Sequence, residues 1–232
     1  MHDGFSGLAV YMIHEAMNKT SFWRPYLCSL PEWVPLPLFW SAEKRMEKFA
    51  HQVPEHQRDH FDKMSRRLRR YIDGKYYTVM PSLHKRFPQK FKEKDYSGAR
   101  WAWAGSILLS RTWAQLYKDP MVMETTGKET MKIQTLVPAA DLPNHRNDGS
   151  PGKFQTMKNG DKSLRLDASK HHYEGDQVFI SYGEKCDAEY LASCEPANFE
   201  PLKLLLQSSE FNSLPLLPHY PPSWLSSDML HL

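Results

Sequence analysis

Cysteine is scarce in this chain. Its 232 residues hold three, Cys28, Cys186 and Cys194, and no two form a C-x-x-C pair. A structural zinc cluster built on paired thiolates therefore has no ligand set. An odd, sparse count also argues against a secreted disulfide scaffold and fits a reducing compartment. Charge of one sign is equally lacking. The formal net charge is +3, too small to point to a nucleic-acid partner. No apolar run approaches the roughly 20 residues that cross a bilayer. The opening Met1-His2-Asp3-Gly4 has neither the basic start nor the apolar stretch of a signal peptide. No internal repeat is present.

What the chain has is aromatic mass: seven Trp, eleven Tyr and eleven Phe. Such residues bury large areas and fill cores and grooves. A disordered chain carries few of them. The one basic cluster, Arg66, Arg67, Arg69 and Arg70, lies on an expected helix and reads as a solvated face.

Helical signals dominate the first half. Leu8, Met12, Ile13 and Ala16 recur at helical spacing over residues 5–18. Prolines at 25, 31, 35 and 37 exclude helix from residues 21–40, where interleaved aromatics predict an ordered, packed loop. Ser41 caps the next helix, with Glu43 in its first turn. A longer helix is expected from Pro54 to Asp73, with Phe61, Met64, Leu68 and Tyr71 as its stripe and Gly74 at its C′ position. Asp95 then caps a helix to about Tyr117 that is apolar on nearly every side, as a buried helix is. Arg111 stands out within it. A buried guanidinium needs a carboxylate, carbonyls or an anionic ligand, and either a structural ion pair or a ligand contact would meet that need.

After residue 120 the signals turn to strand. Short strands are expected at Ile133–Val137, Lys153–Met157, Ser163–Ala168 and Gln177–Tyr182. Asn159-Gly160 marks a type I′ hairpin turn and Glu174-Gly175-Asp176 a second turn. Asp187–Ala192 reads as a short helix. From about Cys194 the chain is irregular and rich in Pro, Ser and Leu.

Two segments carry the chemistry. One is Leu136-Val137-Pro138-Ala139-Ala140-Asp141-Leu142-Pro143-Asn144-His145, with Asn-His in a loop after a strand. The other is Glu174-Gly175-Asp176-Gln177-Val178-Phe179-Ile180-Ser181-Tyr182-Gly183. Singly, neither identifies a site. In this order they resemble the SET-domain signature. Leu109-Ser110-Arg111 is similar to that family's Ser-Arg segment upstream of Asn-His. Ser21-Phe22-Trp23-Arg24-Pro25-Tyr26, Leu30-Pro31-Glu32 and Leu38-Phe39-Trp40-Ser41 resemble the start of the helical insert in the Rubisco large-subunit lysine methyltransferase and actin-histidine methyltransferase group.

The resemblance implies an α+β fold of short curved sheets threaded as a pseudoknot. It implies a partial SET domain over residues 1–192, a mostly helical insert at about 41–117, and an irregular tail at 193–232. It implies S-adenosyl-L-methionine as cofactor and methyl transfer to a protein side chain, lysine first and histidine second. A catalytically silent interaction module of the same fold is the alternative. By carry-over, Tyr182 is the catalytic tyrosine that orients the methyl and its acceptor. Asn144 binds the amino-acid part of the cofactor, His145 its adenine mainly through the backbone, and Arg111 its carboxylate. The expected partner is a protein substrate, with no nucleic acid, membrane or metal, and the chain is expected to be a monomer. Three departures accompany the match. Gly4 and Gly7 do not have the spacing of the family's Gly-x-Gly element. Ser193-Cys194-Glu195-Pro196 stands where an aromatic-Gly-Phe segment belongs. The group's C-terminal helical domain has no counterpart, so the resemblance implies a chain shortened at both ends.

Overall fold

The computed structural model describes residues 4–117, 131–157 and 162–183. The expected Asn159-Gly160 turn, the helix at 187–192 and the tail at 193–232 lie outside them. The described residues pack as two units, 4–110 and 111–183, each with its own contacts.

The first unit is helical. Helix α1 (Gly4–Met17) buries Phe5, Ala9, Met12 and Ile13, one face at helical spacing. The proline-rich stretch is packed as expected, with Val34, Leu36 and Leu38 at most 2% exposed. It nevertheless contains a short helix, α2 (Arg24–Ser29). Pro25 sits in its first turn, where the missing N–H had no helical partner to lose. A single 3-10 turn at Pro37–Phe39 leads to Ser41. The Ser41 hydroxyl accepts from the Lys44 N–H at 3.2 Å and caps α3 (Ala42–Gln52). A hydrogen bond from the Glu43 backbone, and then that hydroxyl, hold the Glu43 carboxyl below its ordinary range.

The long helix departs from expectation. α4 runs from Glu55 to Arg86, straight through Gly74 and Pro81. Gly74 is therefore interior, not a C′ cap. Packing overrides the glycine. Ile72 and Met80 are fully buried, and Tyr76 meets Trp101 edge-on at 5.8 Å, so the apolar face continues past Gly74. Trp40, Phe49, Val53 and Phe61 form one core cluster, with Met64 against it. Helix α5 (Gly98–Arg111) starts three residues after Asp95, which instead accepts the Arg100 guanidinium on its carbonyl at 2.8 Å. Residues 101–108 of α5 are buried throughout, as an all-round apolar helix requires. The helix ends at Arg111, short of the expected Tyr117. Trp113–Tyr117 is a strand, β1, because it pairs antiparallel with β2 (Met131–Thr135), Trp113 opposite Thr135. β2 begins and ends two residues before the expected strand.

The second unit holds three two-stranded sheets. β4 (Lys153–Thr156) and β5 (Lys162–Arg165) form the expected antiparallel pair, Phe154 opposite Leu164. β3 (Asn144–Pro151) pairs in parallel with β6 (Phe179–Ser181). The parallel ladder joins segments far apart in sequence, which short-range patterns cannot foresee.

Candidate functional site

Asn144 and His145 do not lie in a loop, as expected from sequence, but open β3, opposite Phe179 and Ile180 of β6. Ile180 is the partner of Ser150 as well as of His145, so residues 146–149 leave the ladder as a wide bulge. Gly149 makes this possible. A Cβ there would fall 2.5 Å from the Ile180 carbonyl carbon. Arg146 braces the bulge, its guanidinium 4.6 Å from the centre of the Phe179 ring and forked onto the Asp148 carboxylate, with Nη2 to Oδ2 at 2.8 Å. Those hydrogen bonds from Arg146 hold the Asp148 carboxyl below its ordinary range.

The strand pairing brings His145 to Tyr182. The Tyr182 backbone N–H donates to His145 Nδ1 at 3.0 Å. Nδ1 is thus an acceptor, and the ring proton belongs on Nε2, which lies 3.0 Å from Asn147 Oδ1. Both ring nitrogens are committed within the chain. The two rings also meet, with centres 5.3 Å apart and planes tilted by 38°. The Tyr182 hydroxyl donates to the Pro143 carbonyl at 2.8 Å, next to Asn144. Asn144, His145 and Tyr182 are each half-buried. Gly183 follows with φ +99°, a left-handed conformation that suits glycine and turns the chain out of β6.

Arg111 lies in the same unit. Its Nη1 meets the Asp141 carboxylate at 3.5 Å and donates to the Asp141 carbonyl at 3.3 Å. The Asp141 side chain is wholly buried and that of Arg111 is 17% exposed. This is the structural ion pair that a guanidinium in apolar surroundings calls for. Asp141 follows a tight turn in which Ala139 has φ +69°, uncommon for a residue with a Cβ. The structure thus brings Tyr182, His145 and Asn144 together and gives Arg111 a protein partner. Sequence reasoning missed Asn147, Asp141 and the Pro143 carbonyl as the groups that hold them. Asn147 and Asp141 are short polar residues near the motif, and only their tertiary partners reveal the role.

The donor set fits S-adenosylmethionine. The Asn144 amide offers a donor and an acceptor for an amino-acid end. The His145 ring is already engaged by the Tyr182 N–H and by Asn147. Among the described residues no group of His, Cys, Asp or Glu could hold a metal ion.

No family profile matches the chain. Its sequence is 25% identical over 189 residues to an actin-histidine N-methyltransferase of Mus musculus, covering 81% of this chain and 29% of that protein. The Danio rerio actin-histidine N-methyltransferase is 26% identical over 185 residues, covering 79% and 28%. The chain spans under a third of the length of these curated relatives. Among solved structures, the SET domain of LSMT bound to lysine and AdoHcy superposes with a TM-score of 0.58 at 20% identity, covering 82% of this chain and 40% of that one. Rubisco LSMT bound to AdoMet gives 0.56 at 18% identity, covering 82% and 38%. These likenesses bear out the resemblance read from Asn144-His145 and Ile180-Ser181-Tyr182-Gly183, and the α+β SET-domain fold with it.

Proposed function

From the premise that this chain carries the SET-domain fold and is similar in sequence to actin-histidine N-methyltransferases, we propose that it takes part in S-adenosylmethionine-dependent methyl transfer to a protein side chain, lysine first. The observation that carries the reading is the coupling of Tyr182 to the Asn144-His145 pair: backbone N–H to His145 Nδ1 and hydroxyl to the Pro143 carbonyl. When bound, S-adenosylmethionine supplies an electrophilic methyl on a sulfonium. Asn144 would hold the amino-acid part and the His145 backbone the adenine. Arg111 would reach the carboxylate only with donors that Asp141 leaves to it.

Tyr182 has the central part. A phenol that donates its proton to a carbonyl keeps acceptor capacity on its oxygen. That oxygen can receive an N–H of the acceptor side chain or a polarised methyl C–H. Its position is fixed at both ends, by the backbone bond to His145 and by the hydroxyl bond to Pro143. Fixed geometry is what in-line transfer requires. The acceptor amine must arrive neutral, having released its proton to solvent.

Tyr182→Phe tests this. With labelled S-adenosylmethionine and protein extract as acceptor, the parent chain should transfer label and Tyr182→Phe should lose about 10²-fold or more of that rate. Equal turnover by the variant would remove Tyr182 from the chemistry. A histidine acceptor is the second reading, favoured by the names of the sequence relatives. Amino-acid analysis of the labelled product separates the two.

A further inference from the structure

We propose that the first unit carries a docking groove for an acidic peptide segment of a partner protein, between the Leu38–Trp40 turn and helix α4. The groove has a volume of about 570 Å3. Its floor is Leu38, Phe39 and Trp40. Its walls carry Arg45, Lys63, Arg66, Arg69 and Arg70, and among the described residues no carboxylate lines it. The cluster that reads as a solvated face in the sequence is thereby divided. Arg66 and Arg70 join Lys63 on one face of α4, three and four residues apart, and Arg69 lies beside them. Arg67 is exposed and outside the groove.

The charges around the groove do not cancel. Asp62 pairs with Arg45 at 2.8 Å and Arg66 at 2.9 Å, Asp59 with Lys63 at 2.5 Å, and Asp73 with Arg69 at 2.7 Å. Among the described residues, five lining cations against these three carboxylates leave an excess of two positive charges. Part of the shape is held in advance. Arg45 is 7% exposed, and its guanidinium ties the Trp40 carbonyl to Asp62. Arg69 stacks over the Phe39 ring at 5.4 Å. The Arg45 and Arg69 part of the wall is therefore ordered before binding, and Lys63, Arg66 and Arg70, which are exposed, are ordered by the occupant.

Carboxylates on a peptide fit this set, because guanidinium forks match carboxylate geometry. The volume is in the range that receives several side chains rather than one small ion. Single-stranded nucleic acid fits less well. It needs exposed aromatic faces for stacking, whereas Phe39 and Trp40 are 7% and 8% exposed. This docking reading is independent of methyl transfer.

The test uses the full chain and a fluorescein-labelled peptide of glutamates around one leucine, followed by anisotropy at low salt. Saturable binding is expected. Arg66→Glu with Arg70→Glu should weaken it by about tenfold or more, while the charge-matched pair Arg67→Glu with Lys85→Glu stays within about twofold. Circular dichroism checks the helix content of both. If the first pair loses helix, Arg66→Gln with Arg70→Gln replaces it and should still weaken binding severalfold. The proposal is overturned by absence of saturable binding, by equal losses in the two charge-matched pairs, or by a single-stranded oligonucleotide that binds the same groove more tightly than the peptide.

Discussion

The His145 ring bonds within the chain at both of its nitrogens. Its Nδ1 takes the Tyr182 N–H and its Nε2 faces Asn147. His145→Ala leaves a part-buried backbone donor without its acceptor, at a cost of about 1–3 kcal/mol. Asn147→Ala removes only a solvent-facing bond and should cost less than about 1 kcal/mol. Denaturant unfolding of the two variants checks the order, and a larger effect at Asn147 would contradict this account of the ring. At this scale the sequence singles out Asn144, His145 and Tyr182 by their spacing and neighbours, and the structure brings the three together. Arg111 was legible only as a problem, a guanidinium in an apolar helix. Its solution, Asp141, lies thirty residues away, and no local pattern connects the two.

Two glycines separate local preference from packing at the scale of elements. Gly149 sits where the β3 bulge meets Ile180, and a Cβ there would strike backbone. Gly149→Ala should destabilise by about 1–3 kcal/mol, since overpacking against a fixed main chain forces the strand to shift. Gly74 lies inside α4 with nothing within 4 Å of its Cβ position. Gly74→Ala should stabilise by about 0.5–1 kcal/mol, the helix-propensity difference. Thermal melts read both, and opposite signs are the expected result. The same glycine shows what sequence concealed. Gly74 looks like a stop signal, yet Ile72, Tyr76 and Met80 carry the buried face across it. The end of α5 was obscured in the opposite way. Trp113 and Leu116 continue a helical pattern, and only pairing with β2 turns that segment into a strand. Elements fixed by their own caps and stripes, such as α1 and the Ser41-capped α3, were legible because no distant partner decides them.

Taken as a whole molecule, the chain owes part of its stability to buried groups that must stay neutral. Burial, and then the Asp95 charge, raises the Tyr96 hydroxyl above its ordinary range. A raised pKa in the folded state means that the contribution is complete below about pH 10, the unfolded value, and is lost as pH rises through the folded one. Stability should therefore fall on the alkaline side, and Tyr96→Phe should flatten that fall while lowering stability at neutral pH through loss of the bond to His14 Nδ1, 3.0 Å away. An alkaline slope unchanged by Tyr96→Phe would mean that other groups set it. Among the described residues no helix is long and apolar enough to cross a membrane. The SET-domain architecture was legible as a resemblance carried by a few motifs, whereas periodicity alone gave only helices followed by strands. The physical reason is the parallel pairing of β3 with β6, a contact of high sequence separation that neither strand announces.

We propose that Asn144, His145 and Tyr182 form a site for S-adenosylmethionine and its product. Isothermal titration of the purified chain with S-adenosylhomocysteine, beside an Asn144→Ala variant of equal thermal stability, tests it most directly. Saturable binding with one ligand per chain is expected, and its loss in the variant. A folded chain that shows no heat of binding, or equal binding by Asn144→Ala, would contradict it.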